Sequence, residues 1–508
     1  MLAQCRTATP WGIDARPVRI EVDVHHGLPS TQIVGLPDAA VRESRERVRS
    51  AIRNCGFELP PRVVIINLAP ADLRKQGNHL DLGIAVAWLA AVGHLTQARL
   101  DGRLVVGELG LDGTVRPVRG GLAVADLAHR LGCREVLLPI ANAAEAAAYG
   151  RVPVVGIGTL GEAVAHLTGV RPLACAVPEP DDDTAPPVAD LAEVRGQQGA
   201  KRALEIAAAG GHNLLFVGPP GCGKTLLARR LPDLLPPLTR GEAIEVTKVH
   251  SLAGDEPPAG LLRRRPFRSP HPGVSTAGLI GGGAGVPRPG ETSLAHCGVL
   301  FLDELPEYKR DALEALRQPL EEGRLTIVRS RARLTFPARF SLLAAMNPCP
   351  CGHLGDERRE CRCTPTQIER YRARLSGPLL DRIDLHVEVA AVGLAELTAA
   401  PTGETTAVVA ERVAAARRVQ AERFGDGVAM PVNASLGPAD LEVHCPLDDA
   451  AERLLTSAFE RLALSARALH RVLKVARTIA DLAGARDLAA SHVAEAIQYR
   501  ALDRGLDL

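Results

Sequence analysis

Aromatic residues are scarce in this chain, where phenylalanine, tryptophan and tyrosine make up 3% of 508 residues. The hydrophobic cores must therefore be built mainly from leucine, valine, isoleucine and alanine. A surface that stacks many nucleic-acid bases on aromatic rings is disfavoured. An excess of one charge is also missing, since 60 basic residues balance 59 acidic ones. The net charge favours no class of partner, so any basic surface has to be local.

Long apolar runs are absent too, and none approaches the length of a membrane span. The first residues, MLAQCRTATPWGID, lack the basic segment and apolar core of a signal peptide. We therefore predict a cytoplasmic protein without membrane contact. Eleven cysteines in such a chain are expected to be reduced thiols or metal ligands rather than disulfides.

The sequence divides into four segments. Residues 1–172 alternate strand-like runs with alanine-rich helical stretches, which is typical of an α/β domain. Residues 173–189 are rich in proline and aspartate and are predicted to be a linker. Residues 190–395 form a second α/β segment, and residues 396–508 are predicted to contain a linker and a helical domain.

Three short apolar runs predict buried strands in the second α/β segment: Leu214–Val217, Val299–Leu302 and Ser341–Ala345. Near the carboxyl terminus, Ser491 is predicted to be the N-cap of a last helix that ends near Tyr499.

The first of these strands leads into GPPGCGKT, which matches the phosphate-binding P-loop and is followed by a helical stretch. Glycines in this loop allow backbone N–H groups to curl around phosphate oxygens. Lys224 is expected to reach the β- and γ-phosphates of ATP, and the Thr225 hydroxyl to hold Mg²⁺. The residues predicted to bind the nucleotide are Gly218, Pro219, Pro220, Gly221, Cys222, Gly223, Lys224 and Thr225.

Polar residues follow the other two strands. Asp303 and Glu304 come directly after Val299–Leu302, where ATP hydrolysis needs one carboxylate for the metal and one for the attacking water. Asn347 follows the third strand, and its amide is expected to sense the γ-phosphate. The order of these motifs predicts an ATPase whose cofactors are ATP and Mg²⁺.

This order resembles the AAA+ ATPases, and further motifs resemble their magnesium-chelatase-like family called YifB or ComM. The motifs are IVGLPDAAVRES (33–44), NLAPADLRK (67–75), RPFRSPH (265–271), GVLFLDELPE (298–307), NPCPCG (347–352) and SGPLLDRID (376–384). The resemblance covers nearly the whole chain. It implies an AAA+ parallel-sheet core, a carboxyl-terminal helical lid and a hexameric DNA motor. Such a motor promotes branch migration when incoming DNA recombines in natural transformation.

The same resemblance implies roles for two arginines. Arg382 is similar to the finger that one subunit inserts into its neighbour's ATP site, where it would neutralise charge on the transferred phosphoryl group. The alternative is a surface ion pair of Arg382 with Asp381 or Asp384. Arg467 is similar to a second sensor on the lid, with Arg471 and Arg477 as other candidates.

Residues 323–340 are predicted to form a hairpin whose tip carries Arg329, Arg331 and Arg333. In a ring these guanidinium groups would line the central pore and contact DNA phosphates without reading sequence. A solvated charged turn is the alternative. The glycine-rich run 278–285 is a second candidate for a pore loop. The resemblance leaves a second function open, in which a chelatase-like ATPase remodels a partner protein without DNA.

Two C-x-C pairs, Cys349/Cys351 and Cys361/Cys363, lie within fifteen residues. Four thiolates at this spacing predict a structural zinc site, in which His353 would be able to replace one ligand. Four reduced thiols in a surface loop are the alternative.

The segment 1–172 resembles the proteolytic domain of Lon proteases, most clearly in VGELGLDGTVRPV (106–118). Lon-type cleavage needs a serine nucleophile and a lysine base. The corresponding stretches here, NHLDL (78–82) and GGLAV (120–124), contain neither. We therefore expect no peptidase activity, and a scaffold or DNA-contacting collar instead. Lys75, His79 and Asp81 are expected to be a surface cluster or the remnant of an old site.

Overall fold

The computed structural model describes residues 1–75, 77–178, 190–254, 258–283, 287–329, 332–356, 359–393, 403–425, 431–461 and 465–500. Most of the predicted linker lies outside these ranges, as does the predicted boundary at residue 395. The described residues form a mixed sheet, then a parallel sheet, then a group of helices. The predicted fold class, α/β with a parallel-sheet core and a helical carboxyl-terminal region, is confirmed.

The amino-terminal part is built around a mixed sheet. Its strands are β1 (Leu2–Trp11), β2 (Asp14–His25), β3 (Ser30–Val34), β4 (Val63–Ala69), β5 (Arg103–Val105), β6 (Glu108–Leu109), β7 (Val115–Arg116), β8 (Glu135–Pro139) and β9 (Val154–Ile157). Its helices are α1 (Ala39–Asn54), α2 (Asp81–Ala91), α3 (Gln97–Leu100), α4 (Gly121–Arg130), α5 (Ile140–Ala147) and α6 (Leu160–Thr168). The sheet order is β3-β4-β2-β1-β5-β8-β9, and β6 pairs with β7. Strand β2 alternates buried valine and isoleucine with polar residues, so one of its faces covers the core.

The central part contains a five-stranded parallel sheet. The strands of this part are β10 (Leu214–Val217), β11 (Phe267–Arg268), β12 (Gly281–Gly282), β13 (Arg288–Pro289), β14 (Val299–Leu302), β15 (Arg324–Arg329), β16 (Ala332–Pro337), β17 (Ser341–Met346) and β18 (Leu385–Glu388). Its helices are α7 (Gln198–Gly210), α8 (Lys224–Ala228), α9 (Leu231–Leu234), α10 (Arg240–Ala253), α11 (Thr276–Ile280), α12 (Glu291–Leu294), α13 (Arg310–Ala315), α14 (Arg317–Glu322), α15 (Pro365–Arg372) and α16 (Gly377–Leu380).

This parallel sheet has the order β11-β14-β17-β10-β18. Every residue of β10, β14 and β17 is buried, as expected for parallel strands covered on both faces. Two of the predicted strands have the observed bounds, and the third extends by one residue to Met346. Their carboxyl ends therefore meet at one edge of the sheet.

The carboxyl-terminal part is helical, as predicted. Its helices are α17 (Thr406–Phe424), α18 (Pro438–His444), α19 (Asp449–Arg461), α20 (Ala466–Leu482) and α21 (Ala490–Gln498). The predicted N-cap of the last helix is wrong by two residues. His492 Nδ1 accepts the Ala489 N–H at 3.2 Å, so Ala489 is the cap and Ser491 lies inside the first turn.

The amino-terminal part packs directly against the central part. Lys248 on α10 donates to Asp14 at 3.2 Å and to Asp126 at 2.6 Å, and the Gly120 N–H donates to Ser251 Oγ at 3.0 Å. The turn between β1 and β2 also contributes Trp11 and Ile13 to a small apolar cluster. The other members of the cluster belong to the central part: Ile280, Leu325, Ile327, Leu334 and Phe336.

Candidate ATP site

The P-loop connects β10 to α8 at the carboxyl edge of the parallel sheet. Gly221 and Gly223 have φ angles of +77° and +96°, which side chains with a Cβ rarely adopt. At Gly218 a Cβ would lie 2.2 Å from the Val389 carbonyl oxygen, so only glycine fits between the loop and the end of β18. The local fold thus requires these glycines, and it allows successive N–H groups to face an anion.

Lys224 links the P-loop to the neighbouring strand. Its ammonium donates to the carbonyl oxygens of Gly218 at 2.6 Å and Pro219 at 2.9 Å, and to Asn347 Oδ1 at 3.2 Å. Cys222 lies beneath this group, and burial raises the pKa of its thiol although Lys224 opposes the shift. Cys222 is therefore an uncharged residue that fills the loop, and the structure brings Lys224 and Asn347 together.

The predicted magnesium ligands also meet. Thr225 Oγ1 donates to Asp303 Oδ2 at 2.8 Å, and Asp303 Oδ1 accepts the Glu304 N–H at 2.9 Å. Glu304 is exposed and has a φ of +52°, which is uncommon for a residue with a long side chain. Such strained positions are concentrated at functional sites. A hydroxyl and a carboxylate at this distance suit Mg²⁺, which prefers oxygen ligands.

Arg382 and Arg467 line a different cavity, of about 570 Å³, together with Arg471. Arg382 is nearly buried and pairs with Glu321 on α14 rather than with Asp381 or Asp384. Arg467 is exposed and has no ion-pair or hydrogen-bond partner among the residues that the structure describes.

The other sensor candidates are held by carboxylates. Arg471 pairs with Asp384 at 2.9 Å. Burial raises the pKa of Asp384, but His212 and Arg471 together outweigh burial and lower this pKa below its ordinary value. Arg477 is buried inside the helical part, where it pairs with Asp481 at 3.0 Å, so it does not line this cavity.

The arginine cavity and the P-loop lie at opposite edges of the parallel sheet. Strands β10 and β18 pair in register from Leu214 with Leu385 to Val217 with Glu388. Arg382 precedes β18, whereas the P-loop follows β10. At about 3.3 Å per residue, at least ~10 Å of strand separates the two levels.

The two C-x-C pairs come together in the loop after Asn347. The Cys349 sulfur lies 3.4 Å from Cys351 and 3.7 Å from Cys361, and Cys351 lies 3.6 Å from Cys361. With Cys363, all four sulfur atoms lie within 4.8 Å of one another. A tetrahedral site with Zn–S bonds of about 2.3 Å has sulfur atoms about 3.8 Å apart. The cluster therefore fits zinc, whereas His353 turns to Asp356 at 2.9 Å instead.

The predicted arginine hairpin is formed by β15 and β16. Arg329 pairs with Ala332 and Val328 pairs with Arg333, so both described arginines flank the tip, and both are exposed. Arg331 lies outside the described residues, as do the last residues of the glycine-rich run 278–285.

Of the two alternatives for Lys75, His79 and Asp81, the surface cluster is wrong for Lys75 and Asp81, because both are fully buried. The remnant of an old site stays a prediction. Burial raises the pKa of Asp81, although Arg47, which lies 3.0 Å away, opposes the shift.

Across the described ranges, no helix has the length and apolar character needed to cross a membrane.

Models of one protein family match most of the chain. They are "Subunit ChlI of Mg-chelatase" over residues 20–142, "Magnesium chelatase, subunit ChlI" over 190–397 and "Magnesium chelatase, subunit ChlI C-terminal" over 403–500. The protein YifB of Salmonella typhimurium is 46% identical over 510 residues, covering 99% of this chain and 98% of its own. The competence protein ComM of Haemophilus influenzae is 46% identical over 498 residues, covering 97% and 96%. The chain belongs to the magnesium-chelatase-like family of YifB and ComM.

Membership of this AAA+ family suggests that the chain is an ATPase that uses ATP and Mg²⁺.

Sequence reasoning missed Glu321 as the partner of Arg382, because α14 is distant in sequence. It also missed the contact of the Cys-rich loop with the P-loop. A Cβ at Gly352 would lie 2.6 Å from Pro220 Cδ, and its φ of +82° also favours glycine.

The exposed carboxylate next to the predicted metal ligand generates a prediction. We expect Glu304→Gln to bind ATP normally and to lower its turnover by about 100-fold or more, because an amide cannot accept a proton from water. ATP binding is measured by calorimetry and turnover by phosphate release. The control is Glu307→Gln, which removes a carboxylate paired with Arg374 at 2.8 Å on the surface. Equal turnover in the Glu304 and Glu307 variants would exclude Glu304 as the base.

Proposed function

We propose that this chain is an ATP-driven, ring-forming DNA translocase of the cytoplasm, which promotes branch migration during recombination of incoming DNA in natural transformation. ATP and Mg²⁺ bind at the P-loop, with Thr225 and Asp303 at the metal and Glu304 at the attacking water. The observation that carries the DNA part is the exposed arginine pair on a hairpin that leads directly into β17.

The hairpin is connected to the nucleotide site through β17, the strand that follows it in the chain. Strand β16 ends at Pro337, β17 begins at Ser341, and β17 leads to Asn347 beside Lys224. A γ-phosphate that attracts Lys224 or Asn347 would therefore act on β17, the strand that follows the hairpin. Two guanidinium groups at the tip suit phosphates, and this contact follows a DNA backbone without reading bases.

Ring formation is supported by the position of the arginine cavity. A subunit cannot bring Arg382 to its own P-loop across the length of the sheet, so the finger has to act on a neighbouring subunit. Arg467 lines the same cavity and would act on the same nucleotide. A hexameric ring satisfies this geometry, because each subunit then gives its P-loop to one neighbour and its arginines to the other.

DNA dependence is tested with purified protein. We expect single-stranded or four-way-junction DNA to stimulate ATP turnover, and a labelled strand to be displaced from a branched substrate. The double variant Arg329→Ala/Arg333→Ala is expected to bind DNA about 10-fold more weakly, since two phosphate contacts are lost. Arg418→Ala/Arg453→Ala removes two exposed arginines of the carboxyl-terminal helices and should respond like the wild type. ATP turnover that no DNA form stimulates or binds would instead favour a remodeller of a partner protein.

The trans arrangement of Arg382 is tested by mixing subunits. Arg382→Ala is expected to lower turnover by about 1,000-fold or more, because the charge on the transferred phosphoryl group is left uncompensated. Rings mixed with Lys224→Ala subunits should recover part of the activity, since an intact P-loop then faces an intact Arg382. Turnover that stays at the level of the separate variants at every mixing ratio would contradict the trans role.

We further propose that the four-cysteine cluster holds one structural zinc ion per chain. The metal would fix the loop that contacts Pro220 through Gly352 and begins two residues after Asn347. Metal analysis of wild-type protein is expected to give one zinc per chain. Cys351→Ser should lose most of it, lower the melting temperature by several degrees and weaken ATP binding. Cys175→Ser, which changes an exposed thiol, is the control. Wild-type protein that stays free of zinc when zinc is supplied, and still melts and binds ATP normally, would contradict the proposal.

A further inference from the structure

A cavity of about 950 Å³ lies between the amino-terminal part and the central part. One wall is the turn between β1 and β2, with Trp11 and Gly12. A second wall contains Asn78 and His79, from the stretch where a Lon-type protease would have its serine. The third wall belongs to the central part and contains Arg288 and Phe336.

The cavity has more free cations than free anions. Arg74 and Arg288 line it, and within the described part of the chain neither has an ion-pair or hydrogen-bond partner. The acidic residues at the wall are already engaged. Asp38 accepts the N–H groups of Val41 at 2.8 Å and Gly77 at 3.2 Å, and Glu108 lies 3.7 Å from an arginine outside the wall. The remaining potential therefore favours an anion.

Two uncharged groups complete the wall. Burial lowers the pKa of His79 to about 4, so its imidazole is neutral at pH 7. His79 Nε2 is buried and has no hydrogen-bond partner among the described residues. Trp11 is half-buried and presents an aromatic ring at a surface that is otherwise poor in aromatics. The two guanidinium groups and the aromatic ring together suit a sugar–phosphate chain with bases.

The cavity continues from the arginine hairpin. Phe336 on β16 lines the cavity and packs with Trp11 in the apolar cluster at the base of the hairpin. A Cβ at Gly12 would lie 3.8 Å from the Leu334 side chain, so the β1–β2 turn and the hairpin are in direct contact. The cavity therefore lies at the base of the hairpin whose tip carries Arg329 and Arg333.

We propose that this cavity binds the phosphodiester backbone of single-stranded DNA, with Arg74 and Arg288 on the phosphates and Trp11 against a base. The inference rests on the proposed function and gives the catalytically empty amino-terminal part a role as a DNA-binding collar. A volume of this size is large enough for a short stretch of strand, since cavities of about 300–1,000 Å³ enclose small-molecule ligands.

The test uses the full-length protein and an oligothymidylate of about 20 nucleotides. The chain has two tryptophans, and Trp88 is 3% exposed in the core, so a change of fluorescence on binding reports Trp11. We expect the oligonucleotide to quench this fluorescence, and Trp11→Phe to abolish the quenching. This measurement needs no arginine variant, so it remains decisive if such variants fold poorly.

The charge contribution is tested with Arg74→Ala/Arg288→Ala. We expect about 10-fold weaker binding at low salt, and a salt slope of log K that is smaller by about 1.4, because two phosphate contacts are lost on a single strand. The matched control, Arg151→Ala/Arg171→Ala, removes two exposed arginines of the amino-terminal part outside the cavity and should bind like the wild type.

The outcomes separate this inference from the proposed function. If wild-type protein binds no DNA, both fail. If Arg329→Ala/Arg333→Ala weakens binding but Arg74→Ala/Arg288→Ala does not, and Trp11 is not quenched, the cavity proposal is overturned while the translocase proposal stands. Quenching by a mononucleotide, but not by the oligonucleotide, would also overturn it, because the cavity would then bind a small ligand.

Discussion

The parallel direction of the five core strands is the constraint on which the arrangement of the candidate ATP site depends. Parallel strands carry their carboxyl ends to one edge, and β14, β17 and β10 are neighbours in the sheet. The residue groups that follow these strands must therefore converge. They are Asp303 with Glu304, then Asn347, and then the P-loop with Lys224. Because all three strands are buried on both faces, their ends are held firmly, and side chains from distant parts of the sequence meet at hydrogen-bonding distance.

The same parallel direction places Arg382 and the P-loop at opposite edges of the sheet within one chain. Arg382 lies at the amino edge of the sheet, where Asp384 is held by the Asn213 N–H at 3.1 Å and by Arg471. These contacts fix the chain just before β18 and so keep Arg382 away from the P-loop edge. In the proposed trans role, exchange of the Glu321 carboxylate for a phosphate would keep the charge of the buried Arg382 compensated.

The buried strands were predictable because their sequences are continuous apolar runs that end in polar residues. The glycines of the P-loop were also predictable, because the local backbone conformation of the loop requires them. Strands β1 and β2 were not among the predicted strands, although β2 alternates Val18, Ile20, Val22 and Val24 with polar residues, which is the pattern of a half-buried strand. The partners of Arg382 and Pro220 depend on how distant segments pack, and no local pattern carries that information. The last helix shows the limit for boundaries, because it begins at Ala490, one residue before the predicted cap, where the His492 side chain accepts the Ala489 N–H.

The amino-terminal part has a mechanical consequence for the arginine hairpin. Outside its own strands, the hairpin is held by its chain connections to α14 and β17 and by apolar packing on Ile280, Trp11 and Ile13. Apolar contacts are not directional, and each buried side chain contributes about 1.5–3 kcal/mol, so such packing tolerates small displacements while it resists separation. The β1–β2 turn is in turn anchored, because Asp14 and Asp126 both hold Lys248 of α10. If the nucleotide moves β17, the hairpin therefore moves against a fixed support. In the proposed motor the amino-terminal part would act as this support, which needs a rigid sheet and a suitable surface but no catalytic group.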